Sequence, residues 1–301
     1  MRGERERAGL FFAALSALLG AFVPGLAKLI TGRGDALFIA AATNACAALA
    51  AALLLGSRGE LARLVARPTL GLLLAIGALG TAGAQLCFYL GASRTSAIVA
   101  TLCLQIEPAY ALLLTWLVLG HRPTRRRTGA TALLLAGIGL ALGDGSWQGG
   151  SGVWFLLATP LCWQLSHLIV LRRLDGVPAM VLTGARYVYG GAILVLLWAL
   201  AGGATSAPAG DALRRLLPLV IVQGAVLTFG GTLLWYQAIA RLDLTRATAI
   251  VVPLIPVLSL AASFLLVGEV ATPRQLLGMA LTAGGIAAFV TGPQAQRIDG
   301  K

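Results

Sequence analysis

"IEPAYALLLTWLVLGHRPT" (106–124) and "LIPVLSLAASFLLVGEVAT" (254–272) lie 148 residues apart and can be written one above the other without a gap. Pro108 meets Pro256, Gly120 meets Gly268, and Thr124 meets Thr272. Carried upstream, the same frame sets "LCFYLGAS" (86–93) over "LWYQAIAR" (234–241), with Gly83 on Gly231, Leu86 on Leu234 and Ala92 on Ala240. Identity is low, yet the mid-segment proline and the terminal glycine keep register, as expected of a duplicated helical unit.

The rest of the chain fits such a unit only in a membrane. Its 301 residues are 58% hydrophobic and 11% charged, with a mean hydropathy of +0.87. Soluble domains carry about 25% charged residues, so a normal water-facing surface cannot be built. The net charge of +12 does not indicate nucleic acid. The arginines sit in short gaps between apolar runs and the aromatics inside those runs, so no basic face with interleaved aromatics forms. Cys46, Cys87, Cys103 and Cys162 lie inside apolar segments without metal-site or redox spacing and read as small core residues. No cofactor or metal is expected. The N-terminus resembles a signal peptide, but its apolar run is longer than the ~7–15 residues of a secretory core, and it reads as a retained first span.

A spanning helix needs about 20 apolar residues. Cutting at clusters of Arg, Asp, Gly and Pro yields ten predicted spans: 9–30, 36–56, 70–92, 96–120, 126–143, 151–171, 178–200, 214–239, 245–268 and 274–292. The fold class expected is therefore an all-α integral membrane protein. With the N-terminus inside, the inner segments hold 16 Lys and Arg and the outer ones 6, while Arg186 falls within a span. That asymmetry places both termini in the cytoplasm. Five spans per half is an odd number, so the second half (146–301) enters the bilayer inverted relative to the first (1–145). Inverted repeats around a midplane site are a transporter architecture. The Gly-rich "GDGSWQGGSG" (143–152) reads as the linker between halves.

Pro108 and Pro256 fall in equivalent spans, four and nine. Each removes one backbone hydrogen bond and bends its helix. Such bends are tolerated where freed carbonyls face packed protein or a cavity. Span nine adds Pro253 and is expected to be the more distorted. These three, with Pro24 in span one, are the candidate hinges. Glu107 sits near the middle of span four, where a charge costs roughly 2.5–3.5 kcal/mol on insertion scales. It should face the interior and be protonated, paired or wet, which makes it a candidate site for a proton or a substrate ammonium. Its counterpart is Ile255, so the halves are chemically unequal. Arg186, the other clearly intramembrane charge, could pair with Glu107, hold a substrate carboxylate, or snorkel.

Polar and aromatic residues recur at helical spacing: Gln85 with Tyr89, Trp163 with His167, and Cys103 with Glu107 and Tyr110. Together with Asn44 and Arg186 they form the candidate binding set. Trp147, Trp154 and Trp198 lie near span ends and fit the interfacial belt. Lys28, near the end of span one, can snorkel. Gly77, Gly80 and Gly83, and Gly137, Gly139 and Gly143, mark faces suited to close helix packing. Such faces serve one chain or two, leaving monomer and homodimer open.

The pattern resembles the drug/metabolite transporter superfamily in its EamA-type branch. The resemblance rests on "LLGAFVPGLAKLI", "ALGTAGAQLCFYLGASRTSAIVATLCLQIEPAYALLLTWLVLG", "ATPLCWQLS", "LLWYQAIARLDLTRATAIVVPLIPVLSLAASFLLVGE" and "LLGMALTAGGIAAF". It implies a ten-helix carrier of the inner membrane that exports amino acids or related metabolites by alternating access, with drugs or nucleobases as alternative cargo. Protons are a candidate coupling ion, and membrane lipid the surrounding partner. The chain departs from the family pattern at Asn44, where an arginine is common, at His121, where an acidic residue is common, and at Ile255, where a glutamate is common. Two other classes fit less well. "GGSG" (149–152) matches a serine-protease fragment, but it lies in the linker, and no paired intramembrane aspartates or HExxH occur. A non-transporting scaffold has no signature to find. No Walker A stretch points to direct ATP coupling.

Overall fold

The computed structural model describes residues 2–120, 122–143, 150–174, 176–203, 207–242 and 244–290; His121, Trp147 and most of the 143–152 linker lie outside them. Among the described residues there is no strand. The helices are α1 (Arg2–Thr31), α2 (Ala36–Ser57), α3 (Arg67–Gly77), α4 (Ala84–Arg94), α5 (Ala97–Leu104), α6 (Glu107–Leu119) and α7 (Arg125–Leu142). They continue with α8 (Ser151–Arg173), α9 (Ala179–Leu200), α10 (Gly210–Ile221), α11 (Gly231–Leu242), α12 (Leu244–Val267) and α13 (Pro273–Val290).

Seven continuous stretches among the described residues are long and apolar enough to cross a membrane: Glu4–Thr31, Ala36–Ser57, Arg67–Arg94, Ala97–Val118, Ser151–Arg173, Ala179–Leu200 and Gly210–Leu242. This is a multi-pass membrane protein. Its outward faces agree, since Leu49 is 62% exposed, Leu265 70% and Leu200 76%. Side chains of this kind at such exposure suit lipid rather than water.

The marks that set the repeat have definite structural roles. Gly120 (φ 73°) and Gly268 (φ 68°) are both left-handed helix ends. Their N–H groups donate to the carbonyls of Trp116 at 3.1 Å and Phe264 at 2.9 Å. A Cβ is strained in that conformation, which is why glycine stands at both positions. Thr124 and Thr272 both open the next helix. The Thr124 Oγ1 accepts from Arg127 N at 3.3 Å, and Thr272 forms a reciprocal capping box with Gln275 at 3.0 and 3.2 Å.

The prolines behave differently from expectation. Span four is broken at Gln105–Ile106, and Pro108 stands in the first turn of the new helix α6. There its missing N–H costs α6 little, but it leaves the Leu104 carbonyl without the i+4 donor that would carry α5 onward. The break is made by tighter bonds, from Gln105 N to Leu102 O at 3.1 Å and from Ile106 N to Cys103 O at 3.3 Å. Span nine runs as one helix, Leu244–Val267, through both Pro253 and Pro256. The expectation that span nine is the more distorted is therefore corrected: the interruption is in span four.

A second pair of irregularities was not anticipated. α3 passes into α4 through a π-helical stretch, Ala78–Gly83, and α10 into α11 through another, Val222–Gly230. The 148-residue frame lays Ala78–Ala82 on Val226–Gly230. π-Turns widen a helix by one residue per turn and often sit at functional sites.

Packing is closest between α7 and α13, α2 and α9, α1 and α12, α1 and α11, and α4 and α8. The α7–α13 contact shows how: a Cβ on Gly137 would lie 2.6 Å from the Gly278 carbonyl, so the two backbones touch. At one end of the bundle Arg274 Nε donates to Leu140 O at 2.9 Å and Arg94 lies 5.3 Å over the Phe155 ring. At the opposite end Arg5 donates to Ala240 O at 3.0 Å, Arg241 lies 4.8 Å over Phe12, and Arg172 donates to Val118 O.

Candidate functional site

The π-helical stretches and the break in span four converge on one cavity of about 690 Å³. α1 contributes Ser16, Gly20, Val23 and Pro24, a single face at helical spacing. α4 supplies Gln85 and Phe88, and the broken span supplies Thr101, Leu104, Gln105, Glu107 and Pro108. Trp163, Gln164 and His167 come from α8, and Thr183, Arg186 and Tyr187 from α9. Thr228, Thr232, Trp235 and Tyr236 complete the wall from the second π stretch and α11, with Val251, Ile255, Phe289 and Val290 beyond them. Thr183, Tyr236 and Val290 on the wall lie near the end that carries Arg172 and Arg241. A shallower groove of about 490 Å³ between α2 and α9 is lined by alanines, Gly191, Val188, Val195 and Leu196, and bears no polar side chain.

Glu107 begins α6, and Gln164 Nε2 donates to its Oε1 at 2.8 Å. One turn along α8, His167 Nε2 is 3.4 Å from Arg186 Nη1. Arg186 also donates from Nη2 to the Gly80 carbonyl at 2.9 Å, while its buried Nε has no partner. Gly80 is needed here, because an added Cβ would run into Ser166 and lie 3.0 Å from Arg186 Nε. The two intramembrane charges thus share one cavity without an ion pair within 4.0 Å between them. Each is held by neutral partners, and α8 reaches both. On the same helix as Arg186, Thr183 Oγ1 donates to Tyr236 Oη at 2.9 Å, and Tyr187 Oη lies 3.0 Å from Thr232 Oγ1.

Of the sequence-derived set, Glu107, Trp163, His167, Gln85 and Arg186 line the cavity, as do Pro24 and Pro108. Tyr89 does not: it is 1% exposed, edge-on to Phe88 at 5.2 Å. It does share a face with Gln85, but its ring is turned toward Thr43 of α2 and Gln223 rather than into the space. Asn44 is also buried; its Nδ2 donates to Ala40 O at 2.8 Å, and it packs where α2 meets Gly191 of α9. Tyr110 is half-buried off the wall, because the break at Gln105–Ile106 disrupts the regular spacing that joined Cys103, Glu107 and Tyr110. Pro253, Pro256 and Lys28 also lie off the wall. Sequence reasoning missed Thr183, Tyr187, Thr228, Thr232, Trp235 and Tyr236. The repeat held a signal for the last, since Tyr236 is the register partner of Phe88 and both line the cavity. Among the described residues no cluster of three or more His, Cys, Asp or Glu could hold a metal.

Comparison with known proteins identifies the family. One relative, the "Probable terminal-alkyne amino-acid exporter" of Streptantibioticus cattleyicolor, is 29% identical over 215 residues, covering 70% of this chain and 69% of its own. A solved crystal structure superposes with a TM-score of 0.61 over 95% of this chain and 98% of the other, and its 19% identity speaks for the fold alone. Residues 7–143 match the EamA-like transporter family, and residues 150–291 match it a second time. The chain belongs to the EamA-like transporter family of the drug/metabolite transporter superfamily.

Proposed function

We propose that this protein is a secondary transporter that exports amino acids or closely related small metabolites across the bacterial inner membrane by alternating access. The observation that carries this reading is the cavity itself, a 690 Å³ space with a carboxylate and a guanidinium on one wall and no ion pair between them. Small-molecule sites occupy roughly 300–1,000 Å³ and combine apolar walls with a few fixed polar groups. An amino acid would place its ammonium at Glu107 and its carboxylate at Arg186, with the side chain against Trp163 and Phe88. The name carried by the S. cattleyicolor relative supports this class of cargo.

The frame is ten spans in two inverted five-helix halves, 1–145 and 146–301, with both termini cytoplasmic. Support comes from the double family match, the paired π stretches, the paired left-handed glycines and the excess of arginine on one side. Rocking of the halves about the break beside Pro108 and the prolines of span nine would expose the cavity alternately. A proton on Glu107 is the candidate coupling ion.

The test is counterflow in proteoliposomes loaded with a pool of unlabelled amino acids, following uptake of each labelled one. Accumulation of one amino acid, abolished or made pH-independent by Glu107→Gln, is the expected result. Normal transport with unchanged pH dependence in Glu107→Gln removes Glu107 from the mechanism. No accumulation across the pool by folded protein moves the cargo to drugs, nucleobases or other metabolites.

A further inference from the structure

Cavity-lining Thr183, Tyr236 and Val290 lie within two turns of helix ends on the side of Arg172 and Arg241, whereas on the other side Ile98, Leu102, Ala141 and Met279 are packed and buried. At this packed end the chain makes a contact that neither the family match nor the cavity explains. The left-handed turn at Gly268 redirects the chain after α12, and the half-buried Glu269 then meets the start of α5. Its Oε1 accepts from Ala97 N at 3.0 Å and its Oε2 from Ile98 N at 3.1 Å. Ser96 Oγ takes the next amide, Val99 N, at 3.1 Å. The amides that a helix start leaves free are thus covered, and two of the three acceptor bonds come from 172 and 171 residues away. A carboxylate there also complements the positive end of the helix dipole. Beneath it Ile98 and Leu102 pack with Ala141, Met279, Leu260 and Ala271, so the polar clasp covers an apolar seal drawn from four helices.

We infer that Glu269 is the latch of the sealed end: it pins the N-terminus of α5, and with it the broken span that carries Glu107, and it must release when the cavity opens on that side. The repeat shows that the device is one-sided. The position 148 residues before Glu269 is His121, which lies outside the described residues and brings no carboxylate. Latching therefore favours the form that is closed at the Glu269 end. The purpose of the latch rests on the alternating-access reading, whereas its existence is tested without any substrate.

The experiment uses the full chain with its four cysteines replaced by alanine and Leu104→Cys, a partly buried position, as a single reporter on the α5 wall of the cavity. Vesicles of each orientation are treated with a membrane-impermeant maleimide. With Glu269 intact, labelling is expected from the open end only. In Glu269→Gln, which keeps the shape but loses the charge, and in Glu269→Ala, labelling from the sealed end should rise by about tenfold, the scale of one charge-assisted hydrogen bond. Labelling from the open end should stay within about twofold. Hydrogen exchange of peptide 95–104 in the chain with native cysteines supplies the second readout and should accelerate in the same variants. Unchanged sealed-end labelling with accelerated exchange would reduce Glu269 to a helix cap and overturn the latch. Unchanged exchange as well would overturn the contact itself. Neither result touches the amino-acid reading, which stands or falls on counterflow.

Discussion

The pairing of Gln164 with Glu107 can be tested by a double-mutant cycle. The perturbation is Gln164→Leu, which keeps the bulk of the side chain and removes the donor lying 2.8 Å from Glu107 Oε1. Hydrogen bonds to charged groups contribute roughly 1.5–3 kcal/mol. Glu107 is partly buried on the cavity wall, so the lower bound is taken, about 1.4 kcal/mol, or about tenfold in an equilibrium constant. The assay is equilibrium binding of whichever amino acid accumulates, which stays measurable where exchange is lost, for the parent, Gln164→Leu, Glu107→Gln and the double variant. Gln164→Leu should weaken affinity about tenfold, because the carboxylate loses the partner that orients it toward the solute. The double variant should be no worse than Glu107→Gln alone, since Gln164 then has no charge to present. The coupling energy expected is therefore about 1.4 kcal/mol, well above the ~0.3–0.5 kcal/mol scatter of independent sites. Strictly additive losses would show that Gln164 acts by packing and would refute the positioning argument.

Other substitutions test separate links. Gly137→Ala should destabilise by about 1–3 kcal/mol through overpacking, because its Cβ would press on the backbone of α13 at 2.6 Å. Gly139→Ala, with nothing within 4 Å of its Cβ, should be neutral or stabilising by up to about 1 kcal/mol; thermal unfolding in detergent compares the two. Pro108→Ala restores an N–H that the Leu104 carbonyl could accept, so α5 and α6 should tend to join. Thermal stability should hold or rise while counterflow falls, and unchanged transport would show that the break plays no part in the cycle. Ile255→Glu places a second carboxylate on the cavity wall and should shift counterflow toward amino acids bearing two ammonium groups. A fall in all cargoes alike would mean that the added charge cost the fold, roughly 2.5–3.5 kcal/mol by insertion scales, without entering the site.

Much of the fold was legible because backbone conformation restricts residue choice. A left-handed helix end needs Gly120 and Gly268, and a helix start favours Thr124 and Thr272, so these marks kept register. The π stretches were not legible, since nothing in "ALGTAG" or "VQGAVLTFG" separates a π-turn from an α-turn. Pro108 was read as a kink within a helix but begins a new one, because the same residue suits both and only the bonds of Gln105 and Ile106 decide. For the site, the face of each helix was readable but the depth was not. Gln85 and Tyr89 do share a face of α4, yet only Gln85 reaches the cavity, while the Tyr89 ring is buried toward Thr43 and Gln223. Trp163 and His167 share a face of α8, and both reach the cavity. Asn44 stands out as a polar residue in an apolar span, whereas its Nδ2 bonds within its own helix and its backbone packs on Gly191.

The residues that keep register across the two halves and the residues that line the cavity are largely different sets. Gly120, Gly268, Thr124 and Thr272 fix turns and helix starts, and none of them faces the space. The wall groups break the repeat: Glu107 answers to Ile255, Gln164 to Ser16, Gly80 to Thr228 and Arg186 to Phe38. A carrier has to open by similar motions toward either side, which favours matched frames and matched irregularities such as the two π stretches. A solute with one ammonium and one carboxylate has no such two-fold symmetry, and a wall that obeyed the repeat would offer it two acids or two bases. Divergence at the wall and retention in the frame are therefore two demands of the same task. The unequal ends, with Glu269 clasping α5 on one side and His121 in the equivalent sequence position on the other, extend that divergence from what the cavity binds to which way it rests.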